Sequence, residues 1–403
     1  MPYSSKTRPY NGRGDRKNAR PFRHKQRKPK HQGAFIHPSR FINRAVSSCV
    51  EIPYEAKHKF ADFPFCGKLC TNIECRDYKI PSAIQDQAIP HIMAGRDIIG
   101  LANTGTGKTA AFLLPIISKI SKEKKPFSTV ILAPTRELAQ QIESQFKIFS
   151  DKMGLQSVLL VGGSNIDRQM TYLKRKPQLV IATPGRIMDL VNRKKIPLKD
   201  VEIFVLDEAD RMLDMGFIGD IRKIAEQIPE SRQTLFFSAT MTPKVKQLTE
   251  EFLRSPETIS VRTADTSERV DQDIVEFESK EDKMEKLLNL LKDKELDKVL
   301  IFGRTKYGVQ RLSGQLSKKD VSSVAIHGNK TLSQRRSALR SFTEGKARVM
   351  VATDVAARGL DIPSVSHVIN FDQPATYEDY VHRIGRTGRG SATGVALTFV
   401  DKR

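Results

Sequence analysis

From residue 97 the sequence alternates between short, wholly apolar runs and longer stretches whose apolar residues recur at helical spacing. The runs DIIGLA, TVILAPT, SVLLVGG, LVIATP, IFVLDEAD and TLFFSAT lack the in–out alternation of a half-exposed strand. They read as strands of a parallel sheet covered on both faces. Between them lie patterns such as RELAQQIESQFKIF, apolar on one helical stripe. Strand–helix alternation of this kind predicts an α/β doubly wound sheet. A polar, weakly periodic break follows around residues 255–275. The alternation then restarts with KVLIFGRT, VSSVAIHG, RVMVATDV, VSHVINFD and GVALTFV. The expected organisation is two α/β domains, 45–258 and 273–403, joined by a linker at 259–272. No large further domain is expected after the second.

Charge distinguishes the remaining segment. The chain carries a formal net charge of +22 over 403 residues. Residues 1–44 hold 13 Lys and Arg against the single Asp15, so +12, which leaves +10 for all the rest. With few aliphatic residues this segment is expected to be a disordered basic tail. A block of like charge suits a polyanion, and nucleic acid is the expected one. Tyr3, Tyr10 and Phe22 lie among the cations and can stack on bases. The plainer alternative is a solvated tail. No run of about 18 apolar residues marks a membrane span, and no secretory signal opens the chain. Four cysteines are too few for a disulfide framework and point to a reducing, intracellular compartment, with the cytoplasm expected. Cys49, Cys66, Cys70 and Cys75 lack the paired knuckles of a structural zinc site.

Two spacings carry phosphate chemistry. ANTGTGKT (102–109) follows a predicted strand and opens a predicted helix. Gly105 and Gly107 allow backbone N–H groups to approach phosphates. Lys108 can reach the β and γ phosphates, and the Thr109 hydroxyl can sit on Mg²⁺. About a hundred residues on, the run ending at Leu206 delivers Asp207 to the C-terminal end of a buried strand, where open α/β sheets bind ligands. Asp207 there suits Mg²⁺, and Glu208 beside it can polarise an attacking water. A surface acidic cluster capping a helix is the competing reading.

These motifs, with PTRELAQQ (134–141), TPGR (183–186), SAT (238–240), VATDVAARGLD (351–361) and HRIGRTGR (382–389), together resemble a DEAD-box ATP-dependent RNA helicase, in that family's order and over roughly residues 60 to 400. The overall look is closest to the compact bacterial members. The resemblance implies two RecA-like domains with ATP between them. It implies arginine fingers at Arg386 and Arg389, with His382 coupling to the segment Ser238, Ala239 and Thr240. Arg383 need not touch ATP. DYKIPSAIQ (77–85) resembles the family's Q motif, which implies that Gln85 reads an adenine edge, with Tyr78 in the motif and Phe60 stacking on the base. The family usually has Gly where this chain has Asp77. Thr104 and Thr106 complete the phosphate loop, and Asp354 and Asp361 resemble residues near the nucleotide.

The resemblance also implies an RNA face across from ATP: Thr135, Arg136, Gly162, Gly163, Thr183, Gly185 and Arg186 in the first domain, and Arg304, Arg335 and Thr353 in the second. Pro184 fits the first turn of a helix there. Leu332 stands where the family often has Gln. Contacts of this type read phosphate and 2′-OH, so little sequence preference is expected. The expected cofactors are ATP and Mg²⁺. The expected partner is RNA, single-stranded or short duplex, with ribonucleoprotein or ribosomal assemblies open, and the chain is expected to be a monomer. The same motifs serve an unwinding enzyme or an ATP-gated RNA clamp, and the basic tail leaves an RNA annealer open as well.

Overall fold

Each apolar run becomes a strand and each amphipathic stretch a helix in the computed structural model, which describes residues 36–44, 54–103, 105–261, 270–293, 296–357, 365–388 and 394–402. The chain runs through α1 (Gly67–Glu74), α2 (Ala83–Met93), β1 (Ile98–Ala102), α3 (Lys108–Glu123), β2 (Thr129–Leu132) and α4 (Arg136–Phe149). It continues with β3 (Ser157–Leu160), α5 (Ile166–Leu173), β4 (Leu179–Ala182), α6 (Pro184–Asn192), β5 (Ile203–Leu206) and α7 (Ala209–Asp214). Then come α8 (Ile218–Ala225), β6 (Gln233–Ser238), α9 (Pro243–Phe252) and β7 (Glu257–Val261). The second half holds β8 (Val270–Phe277), α10 (Lys280–Leu290), β9 (Val299–Phe302), α11 (Lys306–Ser317), β10 (Ser323–Ile326) and α12 (Leu332–Thr343). It closes with β11 (Val349–Ala352), α13 (Asp354–Ala357), β12 (His367–Asn370), α14 (Tyr377–Ile384) and β13 (Gly394–Asp401).

The strands form two all-parallel sheets, a seven-stranded one ordered β3-β4-β2-β5-β6-β1-β7 and a six-stranded one ordered β10-β11-β9-β12-β13-β8. Successive residues of a central strand feed opposite cores. Ile131 and Val205 pack on one face of the first sheet, Val130, Leu132 and Phe204 on the other. The second sheet is covered in the same way, with Leu300 on one side and Ile301 on the other. Two-faced burial is why these strands read as continuous apolar runs. Among the described residues no helix is long and apolar enough to cross a membrane.

Two expectations need correction. Residues 259–261 and 270–272, read as linker, belong to β7 and β8, so the stretch between the sheets is 262–269, outside the described residues. Both are edge strands, and β8 alternates buried Val270 and Gln272 with exposed Asp271 and Asp273. One wet side makes such a strand look polar. The basic tail also ends earlier than expected. Pro38–Phe41 form a 3₁₀ turn, Phe41 is fully buried in the second half's core, and Asn43 bridges to Gln272. Averaging over 44 residues hid the local apolar density of FIHPSRFIN. Tyr3, Tyr10, Phe22 and Cys49 lie outside the described residues.

Candidate functional site

Strand order sorts the candidate residues into two groups. β1 ends in the phosphate loop and β5 in Asp207 and Glu208; they flank β6, which ends in Ser238. The ends of β2, β3 and β4, on the other side of the sheet, lead to Thr135, Gly162 and Thr183. One edge of the first sheet therefore carries phosphate-loop chemistry, the other carries the arginine-rich motifs, and the SAT segment lies among the first group.

In the loop, Gly105 and Gly107 take φ of +90° and +93°, left-handed values that favour glycine. A Cβ on Gly107 would strike the Gln85 amide and approach Ser82 Oγ to 2.9 Å. Gln85 explains the tight fit. Its Oε1 accepts from Ser82 N (2.9 Å) and its Nε2 donates to the Gly107 carbonyl (3.1 Å), while Ser82 Oγ donates to the Thr106 carbonyl (2.7 Å). Gln85 is thus engaged with the phosphate loop itself. Lys108 Nζ donates to the Ala102 carbonyl (2.8 Å), folded over the loop, and Thr109 follows in the first turn of α3. Thr104 lies outside the described residues.

Asp207 is buried and its Oδ1 has no hydrogen-bond partner. Burial pushes its carboxyl up to about 6, with Lys108 pulling down and Glu208 pushing up. An orphaned buried oxygen invites a cation. Glu208 occupies left-handed backbone at φ +52°, unusual for a residue with a Cβ and of the kind stored at functional sites. Its Oε2 accepts from Arg211 Nη1 at 2.6 Å. Asp210 binds the SAT segment: its Oδ2 accepts from Ala239 N (3.0 Å), Thr240 N (3.0 Å) and Thr240 Oγ1 (3.1 Å), and Ser238 Oγ donates to the Thr240 carbonyl (2.7 Å). Burial raises the Asp210 carboxyl, but Lys108, Arg211 and His382 outweigh it and hold it low.

Phe60 is buried, edge-on to Phe63 and Tyr78, with ring centroids at 6.1 and 5.7 Å. It lines a cavity of about 490 Å³ with Tyr78, Ile80 and Cys70. Asp77 takes φ +56°, which shows why a glycine suits that position.

The other group converges on charge. Thr135 caps α4, accepting from Leu138 N at 3.3 Å. The Arg136 guanidinium lies against Gly162 and Gly163, where a Cβ on Gly163 would collide with it. Thr183 precedes Pro184 at the start of α6, and Gly185 there is open, with no heavy atom within 4 Å of an added Cβ. Arg186 donates through Nη1 and Nη2 to the Ser164 carbonyl, both at 3.3 Å. Burial lowers the Arg186 pKa, and Arg136 and Arg193 lower it further, against Asp189. Arg335 of α12 pairs with Glu137 of α4 at 2.9 Å, and Arg336 Nε donates to Gln140 Oε1 at 3.0 Å. Burial lowers the Arg335 pKa, Glu137 raises it and Arg136 lowers it again. Arg335 of the second half thus pairs with Glu137, next in sequence to Arg136, whose charge lowers the pKa of both Arg186 and Arg335.

In the second half Arg383 is buried and held on three sides. It donates to Asp354 Oδ1 and Oδ2 (2.6 and 2.8 Å), Asn370 Oδ1 (3.1 Å) and the Asp372 carbonyl (2.7 Å). The Asp354 carboxylate is therefore engaged by Arg383. Arg386 follows one turn on, 3% exposed, with its backbone N–H bonded to the Arg383 carbonyl. Arg304 is exposed and its N–H donates to Asp372 Oδ2 at 2.8 Å; Thr353 follows the end of β11. Arg389 and Asp361 lie outside the described residues.

Sequence reasoning missed Arg211, Glu137, Ser82 and Asp210 as partners. Arg211 is three residues after Glu208, a spacing that helices bring together. Glu137 gave no such local signal, because its partner lies 198 residues away.

A family model described as DEAD/DEAH box helicase matches residues 82–248, and one for the helicase conserved C-terminal domain matches 282–391. The ATP-dependent RNA helicase CshA of Listeria monocytogenes is 46% identical over 347 residues, 86% of this chain. The DEAD-box ATP-dependent RNA helicase CshA of Bacillus subtilis is 43% identical over 346 residues, 85% of this chain and 70% of that protein. The chain spans 66% of the length of the Listeria relative. Among solved structures, S. cerevisiae Dbp5 bound to RNA and ADP BeF3 superposes with a TM-score of 0.75 at 31% identity, covering 85% of this chain and 90% of that one. Mss116p bound to ssRNA and AMP-PNP gives 0.76 at 30%, covering 87% and 76%.

Proposed function

This chain belongs to the DEAD-box helicase family, and from that membership we propose that it is an ATP-dependent RNA helicase that opens short duplexes locally. The observation that carries the reading is the Arg136 guanidinium against Gly162 and Gly163, beside the Arg335–Glu137 pair that joins the two halves, with the glycine-rich loop and Asp207 at the ends of other strands of the same sheet. A group of cations of this kind suits a polyanion. RNA phosphates supply it, and ATP supplies the anion for Arg386.

Lys108 leaves the Ala102 carbonyl to meet the β and γ phosphates. Thr109 and the orphaned Asp207 oxygen would hold Mg²⁺, a donor set of one carboxylate and one hydroxyl that suits an ion also bound by phosphate oxygens. That ion, when bound, neutralises charge on the β and γ phosphate oxygens. Glu208, held by Arg211, orients and polarises the attacking water. Arg386, joined by Arg389, stabilises charge on the transferring phosphoryl. Asp210 links this chemistry to Ser238 and Thr240, and His382 couples to them from the second half, so hydrolysis loosens the pairing of the halves and releases the strand. Gln85 fixes the loop and reads the adenine edge, with Phe60 and Tyr78 lining the base side; Asp354 and Asp361 resemble residues near the nucleotide. Thr135, Gly162, Gly163, Thr183, Gly185, Arg186, Arg304 and Thr353 grip the RNA backbone. The enzyme acts as a cytoplasmic monomer on RNA or ribonucleoprotein.

Steady-state ATPase rates with no nucleic acid, with single-stranded RNA and with matched DNA test this. RNA alone should stimulate, and Glu208→Gln should lower the stimulated kcat about 10²-fold or more, the scale of losing general-base catalysis, with RNA binding kept. Equal stimulation by DNA would contradict the RNA assignment.

A further inference from the structure

Helix α5 buries one side and shows the other. Gln169 and Leu173 are buried, and Ile166 and Met170 pack on the core that Val158 and Leu160 of β3 enter, β3 being an edge strand of the first sheet. Gln169 fixes the helix there: its Oε1 accepts from Val161 N (3.2 Å) and its Nε2 donates to the Val161 carbonyl (3.1 Å). Arg168 and Tyr172 stand four residues apart on the outer side, and the chain leaves the helix through three exposed cations, Lys174, Arg175 and Lys176. The Arg175 and Arg168 guanidiniums lie 5.0 and 5.9 Å from the centre of the exposed Tyr172 ring, and Arg168 Nη2 donates to Tyr172 Oη at 3.5 Å. The Arg168 hydrogen bond and charge, then Arg175 and Lys147, hold the phenol below its ordinary value. Among the described residues Arg168, Lys174, Arg175 and Lys176 form no ion pair. Cations after a helix complement its dipole, which accounts for Lys174–Lys176. It accounts neither for a tyrosine at the surface nor for Arg168, which stands in the first turn, where the dipole disfavours a cation.

We propose that the outer side of α5, with Arg168, Tyr172, Lys174, Arg175 and Lys176, is a second contact for single-stranded RNA, one that carries the strand beyond the grip at Gly163 and Arg186. It deepens the helicase reading and rests on its RNA assignment. The helix starts where those contacts end. The Arg136 guanidinium lies against Gly163, Arg186 donates to the Ser164 carbonyl, and the Asn165 side chain caps α5 by accepting from Arg168 N at 3.1 Å. Its eight residues then run about 12 Å to Lys174. A ring flanked by planar guanidiniums offers flat faces to unpaired bases, and the lysines beside it meet phosphates. An acidic peptide would use the charges and leave the ring idle, whereas single-stranded RNA uses both. Stacking of this kind accepts any base, so the surface adds affinity without sequence preference.

The test is the affinity of the full chain for single-stranded RNA of two lengths, read by fluorescence anisotropy with a non-hydrolysable ATP analogue present. The short RNA is the shortest that binds. The long one adds about six nucleotides at either end, which outreach α5 at roughly 3.4 Å each. The long RNA should bind the parent about tenfold more tightly, the scale of one stacked base. Tyr172→Ala should remove that gain and Tyr172→Phe should keep it. Lys174→Ala combined with Lys176→Ala should flatten the salt dependence for the long RNA by about 1.4 in log–log slope, two phosphate contacts at about 0.7 each. Binding of the short RNA should not change. If the parent binds both lengths alike, or Tyr172→Ala weakens both alike, the proposal fails. It fails too if the substitutions abolish binding of a polyglutamate chain and leave the long RNA untouched, which would give the surface to an acidic peptide. A length gain lost in the variants, with no nucleic acid stimulating ATPase, keeps the surface and removes the helicase reading. Stimulation by RNA without a length gain does the reverse.

Discussion

At Asp207 burial lifts the carboxyl to about 6, with Lys108 pulling down and Glu208 pushing up. A raised carboxyl binds its proton more tightly in the folded protein than in the unfolded one. The shift therefore favours the ligand-free fold at low pH, and that contribution is lost as pH rises through about 6. The ionised form, the one proposed to bind Mg²⁺, has the opposite window: present above about 6 and lost as pH falls. With subsaturating ATP and Mg²⁺, kcat/KM should decline on the acid side near pH 6; a decline only near 4 would show an ordinary carboxylate. Gly163 offers a second test. Its φ of +73° and the Arg136 guanidinium against it leave no place for a methyl group. Gly163→Ala should weaken single-stranded RNA binding about tenfold, from left-handed strain on the order of 1–2 kcal/mol and displacement of Arg136. ATP affinity without RNA should stay within twofold, checked by titration of each ligand. The placement of Lys108 at the start of α3 and of Asp207 and Glu208 just after β5 was legible in the sequence, because each lies at a fixed local spacing from an apolar run. Glu137 was not, since a pairing between residues 137 and 335 exists only once the chain is folded.

Elements carry the coupling. α7 places Asp210 so that a single oxygen accepts three donors from the segment after β6, while its other oxygen accepts from Arg211 N at 3.0 Å. An asparagine cannot satisfy both sides, because its amide nitrogen would face a donor whichever way it turned. Hydrogen bonds to a charged acceptor contribute about 1.5–3 kcal/mol. Asp210→Asn should therefore slow duplex unwinding about tenfold or more while RNA-stimulated ATPase falls less; equal losses would show that α7 does not transmit. The central strands were readable as elements because burial on both faces leaves only apolar residues. β7 and β8 were not, because each has one wet side, and the turn at Pro38–Phe41 vanished into the charge of its neighbours.

Across the whole molecule, the two halves meet through Arg335–Glu137 and Arg336–Gln140. On the proposed reading, nucleotide and RNA are partners in one equilibrium: whatever closes the halves for one ligand prepares the site of the other. Linkage then requires each to tighten the other by the same factor. The most direct measurement is that pair of affinities: single-stranded RNA with and without a non-hydrolysable ATP analogue, and the analogue with and without RNA. The account predicts about tenfold or greater tightening in both directions by equal factors, which corresponds to roughly 1.4 kcal/mol or more of coupling. Affinities that ignore the other ligand would contradict it.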